Sequence, residues 1–346
     1  MSTALSKKIR CAVVGSGFAG STHAEAICYA PEAELVAIAG GRNAPELARR
    51  YNVRAVPTDD VDRLLESDEI DAVMIASPNP FHAPQAIRAA RAGKHVFVEK
   101  PMAMTVAECR AMIAAATANG VTLMPGHHHR YRRCELAIRL LLDRGAIGNV
   151  EMISMNLTEP DETTWLNNPA NGGYLLGSGV HGVDLLQFWL GDVAAVTALT
   201  GRYRDVPVEN GSQLLLEFGS GAHGMMQNVV IPRLYRPEGS GVVGFTAHLT
   251  GTKGAIQADM YGAVRLSTET GWVEQTSLGT WQDQMEYTRM EAYAAMAREF
   301  IRASIEQRMP LITGDYGLKS IAVVQAAHRA AAERTWVPVG AILEEG

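Results

Sequence analysis

Three adjacent residues, Glu99, Lys100 and Pro101, follow the apolar run Val96, Phe97 and Val98. Such a run reads as a short buried strand, and Pro101 can neither continue a hydrogen-bonded ladder nor leave the residue before it free to turn helical. Lys100 is therefore expected to leave a sheet at a fixed point. An amine held there with part of its water removed has its pKa lowered toward the range in which it exchanges a proton with a hydroxyl group. Taken alone, the triplet is more often a solvated turn carrying ordinary charges; its context reverses that.

The context begins at the strand-like run Ile9 to Val14, which leads directly into Gly15, Ser16, Gly17, Phe18, Ala19 and Gly20 and then into a helical stretch, residues 21–29. In this pattern the first glycine permits a tight turn, the second lets backbone approach a pyrophosphate, and the third lets the helix pack closely, while the helix start offers unpaired N–H groups to the anion. Gly15 to Ala19 are accordingly expected to line a dinucleotide. About twenty residues beyond the glycines an NAD site would carry an acidic residue for the ribose. This chain has Gly40, Gly41, Arg42 and Asn43 there. Glycines remove a carboxylate that would repel a 2'-phosphate and the Arg42 guanidinium can bind one, so NADP is the preferred cofactor, with NAD as the alternative. A further strand, residues 71–76, ends in Ser77, Pro78, Asn79 and, past Pro80 and Phe81, His82. Their hydroxyl, amide and imidazole groups are expected along the same crevice.

His127, His128 and His129 follow another strand, residues 121–124. Adjacent residues of an extended segment point to opposite sides, so at most His127 and His129 share a face, and the run is expected to form a polar wall without a metal. His127 is assigned to the cofactor and His128 to the substrate. Further on, His181 and Asp184 open an apolar helix and, three apart, share a side of it. Alone, two such residues are more often capping and packing groups.

These side chains need elements to hold them. Strand and helix alternate up to residue 124, with every unusual residue in a loop after a strand, which describes a doubly wound Rossmann domain over residues 1–125. From residue 150 the texture changes to long strands, at 150–157, 193–204, 212–218, 221–231, 241–251 and 255–260, so residues 126–346 are expected to form an α+β domain on a large, mainly antiparallel, open-faced sheet. Two amphipathic helices, residues 291–307 and 317–334, complete it. At 346 residues the chain exceeds one ordinary hydrophobic core. Its net charge of -6 argues against nucleic acid or anionic membrane as partners, which need a basic surface. Met1 to Lys8 lack the apolar core of a signal peptide and no run is long enough to span a bilayer, so a cytoplasmic location is expected. Cys11, Cys28, Cys109 and Cys134 are widely spread and are expected to be reduced and structural.

Taken in order, the Gly15 to Gly20 loop, Ser77-Pro78-Asn79 with His82, Glu99-Lys100-Pro101, Gly172-Gly173 with Gly179-Val180-His181 and Asp184, and the Gly251 to Gly254 turn make the chain resemble a known family over almost its whole length. That family is the glucose-fructose oxidoreductase and inositol dehydrogenase family, often called Gfo/Idh/MocA. The resemblance implies an NAD(P)-dependent oxidoreductase that interconverts a secondary alcohol and a ketone on a sugar, inositol or related cyclic polyol. It further implies that Glu99 contacts the nicotinamide ribose, Lys100 transfers the proton, His181 hydrogen-bonds the substrate oxygen and Trp165 walls the substrate. The Lys-Pro bond is commonly cis in such proteins, and the second domain's sheet commonly joins subunits, which implies a homodimer or homotetramer. One departure matters: many sugar and inositol dehydrogenases of this kind carry an Asp four residues before the His, where this chain has Gly177. Tyr174, Asp184 or one of His127, His128 and His129 could stand in. A glycosidase with a tightly bound nicotinamide and a non-catalytic dinucleotide sensor are the rival readings.

Overall fold

A computed structural model describes residues 8–160, 165–203, 205–231, 244–277 and 288–346. The N-terminal segment up to residue 7, residue 204 at the end of one expected strand and residues 241–243 at the start of another lie outside them. The chain forms two compact units, one from Met1–His128 with Ala292–Leu318, the other from His129–Glu291 with Lys319–Gly346. That Ala292–Leu318 joins the first unit is invisible in the sequence, because an amphipathic stripe says that a helix is covered but not by what.

In the first unit, six strands form one sheet: β1 (Ile9–Val14), β2 (Ala33–Ala39), β3 (Arg54–Val56), β4 (Ala72–Ile75), β5 (His95–Glu99) and β6 (Leu123–Gly126). Their order is β3-β2-β1-β4-β5-β6 and every pairing is parallel. β4 is buried along its whole length, as a strand covered by helices on both faces must be. The strand order reverses between β1 and β4, which is where such sheets open a crevice beyond their carboxyl ends. The helix Val106–Ala118, which follows the Glu99-Lys100-Pro101 turn, starts in a capping box: Glu108 N–H donates to Thr105 Oγ1 (3.2 Å), and Glu108 Oε2 accepts from the N–H of Thr105 (3.0 Å) and of Met104 (2.9 Å). Asp60, by contrast, precedes the helix Val61–Glu66 without a side-chain cap, because Thr58–Asp60 already coil as a 3-10 turn.

The second unit is built on nine strands: β7 (Val150–Pro160), β8 (Val193–Gly201), β9 (Gly211–Phe218), β10 (His223–Ile231), β11 (Gly244–Gly251), β12 (Gly254–Asp259), β13 (Ala263–Thr268), β14 (Gly271–Ser277) and β15 (Val337–Pro338). They run in the order β14-β13-β12-β11-β7-β10-β9-β8-β15, antiparallel except for β7 with β10. β13 and β14 go beyond the strands expected from the sequence. They are short and polar, and β14 is exposed almost throughout, so they carry little alternation to detect. One face of the sheet buries Ile153, Met155, Leu157, Leu214, Leu216 and Met226, and the helices Arg133–Asp143 and Val180–Leu190 pack on the sheet. Met152, Leu199, Leu215 and Met225 alternate with such positions and are exposed.

Candidate active site

The glycine loop has the geometry its sequence implies. Gly15 leaves β1 at φ +106°, and a Cβ there would run into the carbonyl of Ala76 at the end of β4; a Cβ on Gly20 would meet the Gly15 carbonyl. A Cβ on Gly17 would meet nothing within 4 Å, so this glycine faces open space. The helix Phe18–Cys28 starts there without a side-chain cap and without an acidic residue in its first turn, so its positive dipole end favours an anion. A helix start under an open glycine fits a dinucleotide pyrophosphate. Next to it Gly41, at φ +80°, lies against Ser16: a Cβ would come 2.5 Å from the Ser16 hydroxyl oxygen. A side chain at 41 is thereby excluded, and the exposed Arg42 is the first that can reach outward.

At the exit of β4, Ser77 hydroxyl donates to Gln85 (2.7 Å) and Asn79 is buried, while Pro78 is exposed. His82 is buried, with Nδ1 2.7 Å from the Pro101 carbonyl and Nε2 2.8 Å from the Ser77 carbonyl. It ties the β4 exit to the turn after Lys100. Burial, opposed by those two carbonyls, lowers its pKa.

Glu99 is buried at the end of β5, one oxygen 2.7 Å from His23 Nε2, the other accepting the N–H of Lys100 at 3.0 Å. Burial raises the pKa of this carboxyl, but the His23 hydrogen bond and charge, the Lys100 charge and the Lys100 N–H outweigh it, and the net shift is downward. Lys100 is half-buried, and its bond to Pro101 is cis. His23 is fully buried on the helix that follows the glycines, edge-on to Phe97 (4.8 Å) and Tyr293 (5.3 Å). A histidine among the alanines of a buried helix face was the signal for it, and the spacing to Glu99 was not.

The histidine run is not extended. His128–Tyr131 form a 3-10 turn, so the alternation expected of an extended segment does not apply. His127 is buried at the end of the first unit, and His128 stacks on Tyr293 at 4.6 Å and 22°. Among the described residues no three His, Cys, Asp or Glu side chains gather as a metal site requires.

His129 belongs to the second unit, with His181. Leu175–Gly179 form a π-turn that feeds the helix Val180–Leu190, and Gly182 brings that helix down onto the sheet, since a Cβ there would come 2.7 Å from Met226 and 2.8 Å from Leu157. His181, in the first turn, is half-buried and lies 4.7 Å from the His129 ring at 69°. His129 Nδ1 is 2.7 Å from Glu135 Oε1. Asp184 is 1% exposed and accepts from Arg130 Nε (2.9 Å) and Nη2 (2.7 Å), and Tyr174 is 2% exposed with its hydroxyl donating to Asn167 (3.2 Å). Asp184 thus holds Arg130, and Tyr174 packs with Leu166, Val208 and Val230. Trp165 remains exposed. The Arg130 and Glu135 partnerships went unseen because each joins a loop to a helix that periodicity places separately.

A six-stranded parallel sheet with an open glycine cradle at its switch point defines a dinucleotide-binding α/β protein. Residues 9–127 match the description "Oxidoreductase family, NAD-binding Rossmann fold" and residues 139–339 match "Oxidoreductase family, C-terminal alpha/beta domain". The chain belongs to the Gfo/Idh/MocA oxidoreductase family. It is 28% identical to inositol 2-dehydrogenase of Rhizobium meliloti (strain 1021) over 96% of this chain and 99% of that protein. It is 30% identical to 1,5-anhydro-D-fructose reductase of Ensifer adhaerens over 79% and 80% of the two chains. The crystal structure of GenD2 from gentamicin A biosynthesis in complex with NAD superposes with a TM-score of 0.81 at 28% identity, covering 98% of each chain.

Proposed function

We propose that this protein oxidises a secondary alcohol, or reduces the matching ketone, on a sugar, inositol or related cyclic polyol, with Lys100 as the acid/base. The carrying observation is that β1, β4 and β5 are parallel neighbours, so the glycine loop, Ser77 and Lys100 all leave the same edge of one sheet. Gly15 to Ala19, Ser77 and Glu99 would hold the dinucleotide, which supplies hydride acceptance or donation when bound. In oxidation the Lys100 amine takes the proton from the substrate hydroxyl, and His181 holds that oxygen by a hydrogen bond; in reduction Lys100 returns the proton. Trp165 offers an apolar wall. Relatives acting on inositol and anhydrofructose support the substrate class, and buried Cys11, Cys109 and Cys134, whose thiols burial pushes up to about 12, suit a reducing cytoplasm. A screen of myo-inositol, aldoses and their ketone counterparts with both nicotinamide cofactors, followed by reduced-nicotinamide absorbance, should give turnover. No turnover on any, with cofactor bound but never exchanged, overturns the reading in favour of a glycosidase or sensor.

NADP over NAD is the preferred cofactor, from the exclusion of a side chain at Gly41 and the exposed guanidinium beside it. Arg42→Ala should weaken NADP far more than NAD, by about 1.5 to 3 kcal/mol, the range for a hydrogen bond to a charged group. Equal losses in calorimetric titrations with the two cofactors would defeat the preference.

A further inference from the structure

We propose that Glu135 and His129 are positioning residues for His181 and stand in for the carboxylate that many related dehydrogenases carry where this chain has Gly177. The proposal rests on the reading that His181 holds the substrate oxygen. A Cβ on Gly177 would overlap the end of the Leu166 side chain, so a larger residue there needs Leu166 to move. The His129 ring packs against that of His181 at 4.7 Å and 69°. Behind His129 stands Glu135, fully buried, with one oxygen 2.7 Å from His129 Nδ1 and the other without a partner among the described groups. A buried carboxylate with a single partner is costly to keep and is not what packing alone would select.

With Glu135 Oε1 accepting the N–H of His129 Nδ1, the pair fixes the tautomer and plane of that ring. The ring in turn sets the plane of His181. A His181 ring held in one plane keeps its N–H aimed at the reacting oxygen through the proton transfer. The neighbouring Arg130 is already paired with Asp184, so those two groups hold the helix rather than join the stack.

Two measurements test this. In proton NMR of the free enzyme, the low-field Nδ1–H signal of the His129–Glu135 pair should disappear in Glu135→Gln and should move in His181→Asn. In kinetics with the polyol turned over best in the screen, Glu135→Gln should lower kcat at least about 10-fold with little change in cofactor affinity. It should cost almost nothing further when His181 is already Asn, since residues acting as one unit are not additive. His129→Asn should behave as Glu135→Gln does, and decides the matter if the latter does not fold. A Glu135→Gln effect equally large in the His181→Asn background, or an NMR signal indifferent to His181→Asn, overturns the proposal. Wild-type kcat in His181→Asn would instead overturn the role of His181 itself, while the NMR result would still show whether the three residues are coupled.

Discussion

Lys100 and Glu99 are neighbours in sequence with opposite tasks. Replacing Lys100 by Met keeps much of its volume and removes the ionisable group, so cofactor binding should persist while turnover falls by about 100-fold to 10,000-fold, the range for a lost general acid/base. Near wild-type turnover in Lys100→Met would end the mechanism proposed above. Glu99 is a titration experiment in itself. Its folded pKa lies below its ordinary value of 4.5, so the folded chain holds fewer protons than the unfolded chain as pH drops past 4.5. Its contribution to stability is therefore complete above 4.5 and is lost as pH falls through the lower, folded value. Glu99→Gln should be less stable near neutrality but should show a flatter loss below pH 4.5 in urea unfolding; an unchanged acid slope would mean that other carboxyls set it. The residues of the glycine loop and the Lys100 turn were legible in the sequence because each is a local pattern. His23 and Glu135 were not, since their partners lie 76 and 6 positions away and only folding brings them within hydrogen-bond distance.

Among the elements, the helix Val106–Ala118 anchors the turn that carries Lys100, through the Thr105 and Glu108 capping box. Thr105→Ala removes a side-chain acceptor from the helix start and should cost about 1 kcal/mol in denaturant unfolding, while leaving cofactor affinity close to wild type. A loss of affinity in proportion to the loss of stability would show that the cap also shapes the crevice. The alternation of strand and helix that predicts this unit is strong because its strands are mostly apolar and its loops are polar. The same reasoning missed β13 and β14, where β14 is exposed almost throughout, and it drew the histidine run as extended where His128–Tyr131 form a 3-10 turn.

For the whole molecule, the exposed sheet face with Met152, Leu199, Leu215 and Met225 is proposed to join subunits as a homodimer or homotetramer. Leu215→Glu should then shift sedimentation toward monomer, and a wild-type protein that sediments as a monomer at micromolar concentration would remove the proposal. No helix of the described residues is long and apolar enough to cross a membrane. The sequence by itself determined the two architectures and the dinucleotide cradle, because these depend on short-range spacing: glycines where a Cβ would collide, a proline that ends a strand, apolar residues at the period of their element. Only the tertiary structure decided which partners the buried polar residues take. His82 meets the Ser77 and Pro101 carbonyls, Tyr174 meets Asn167 and Asp184 meets Arg130, and such pairings are a property of three-dimensional packing that no linear pattern records.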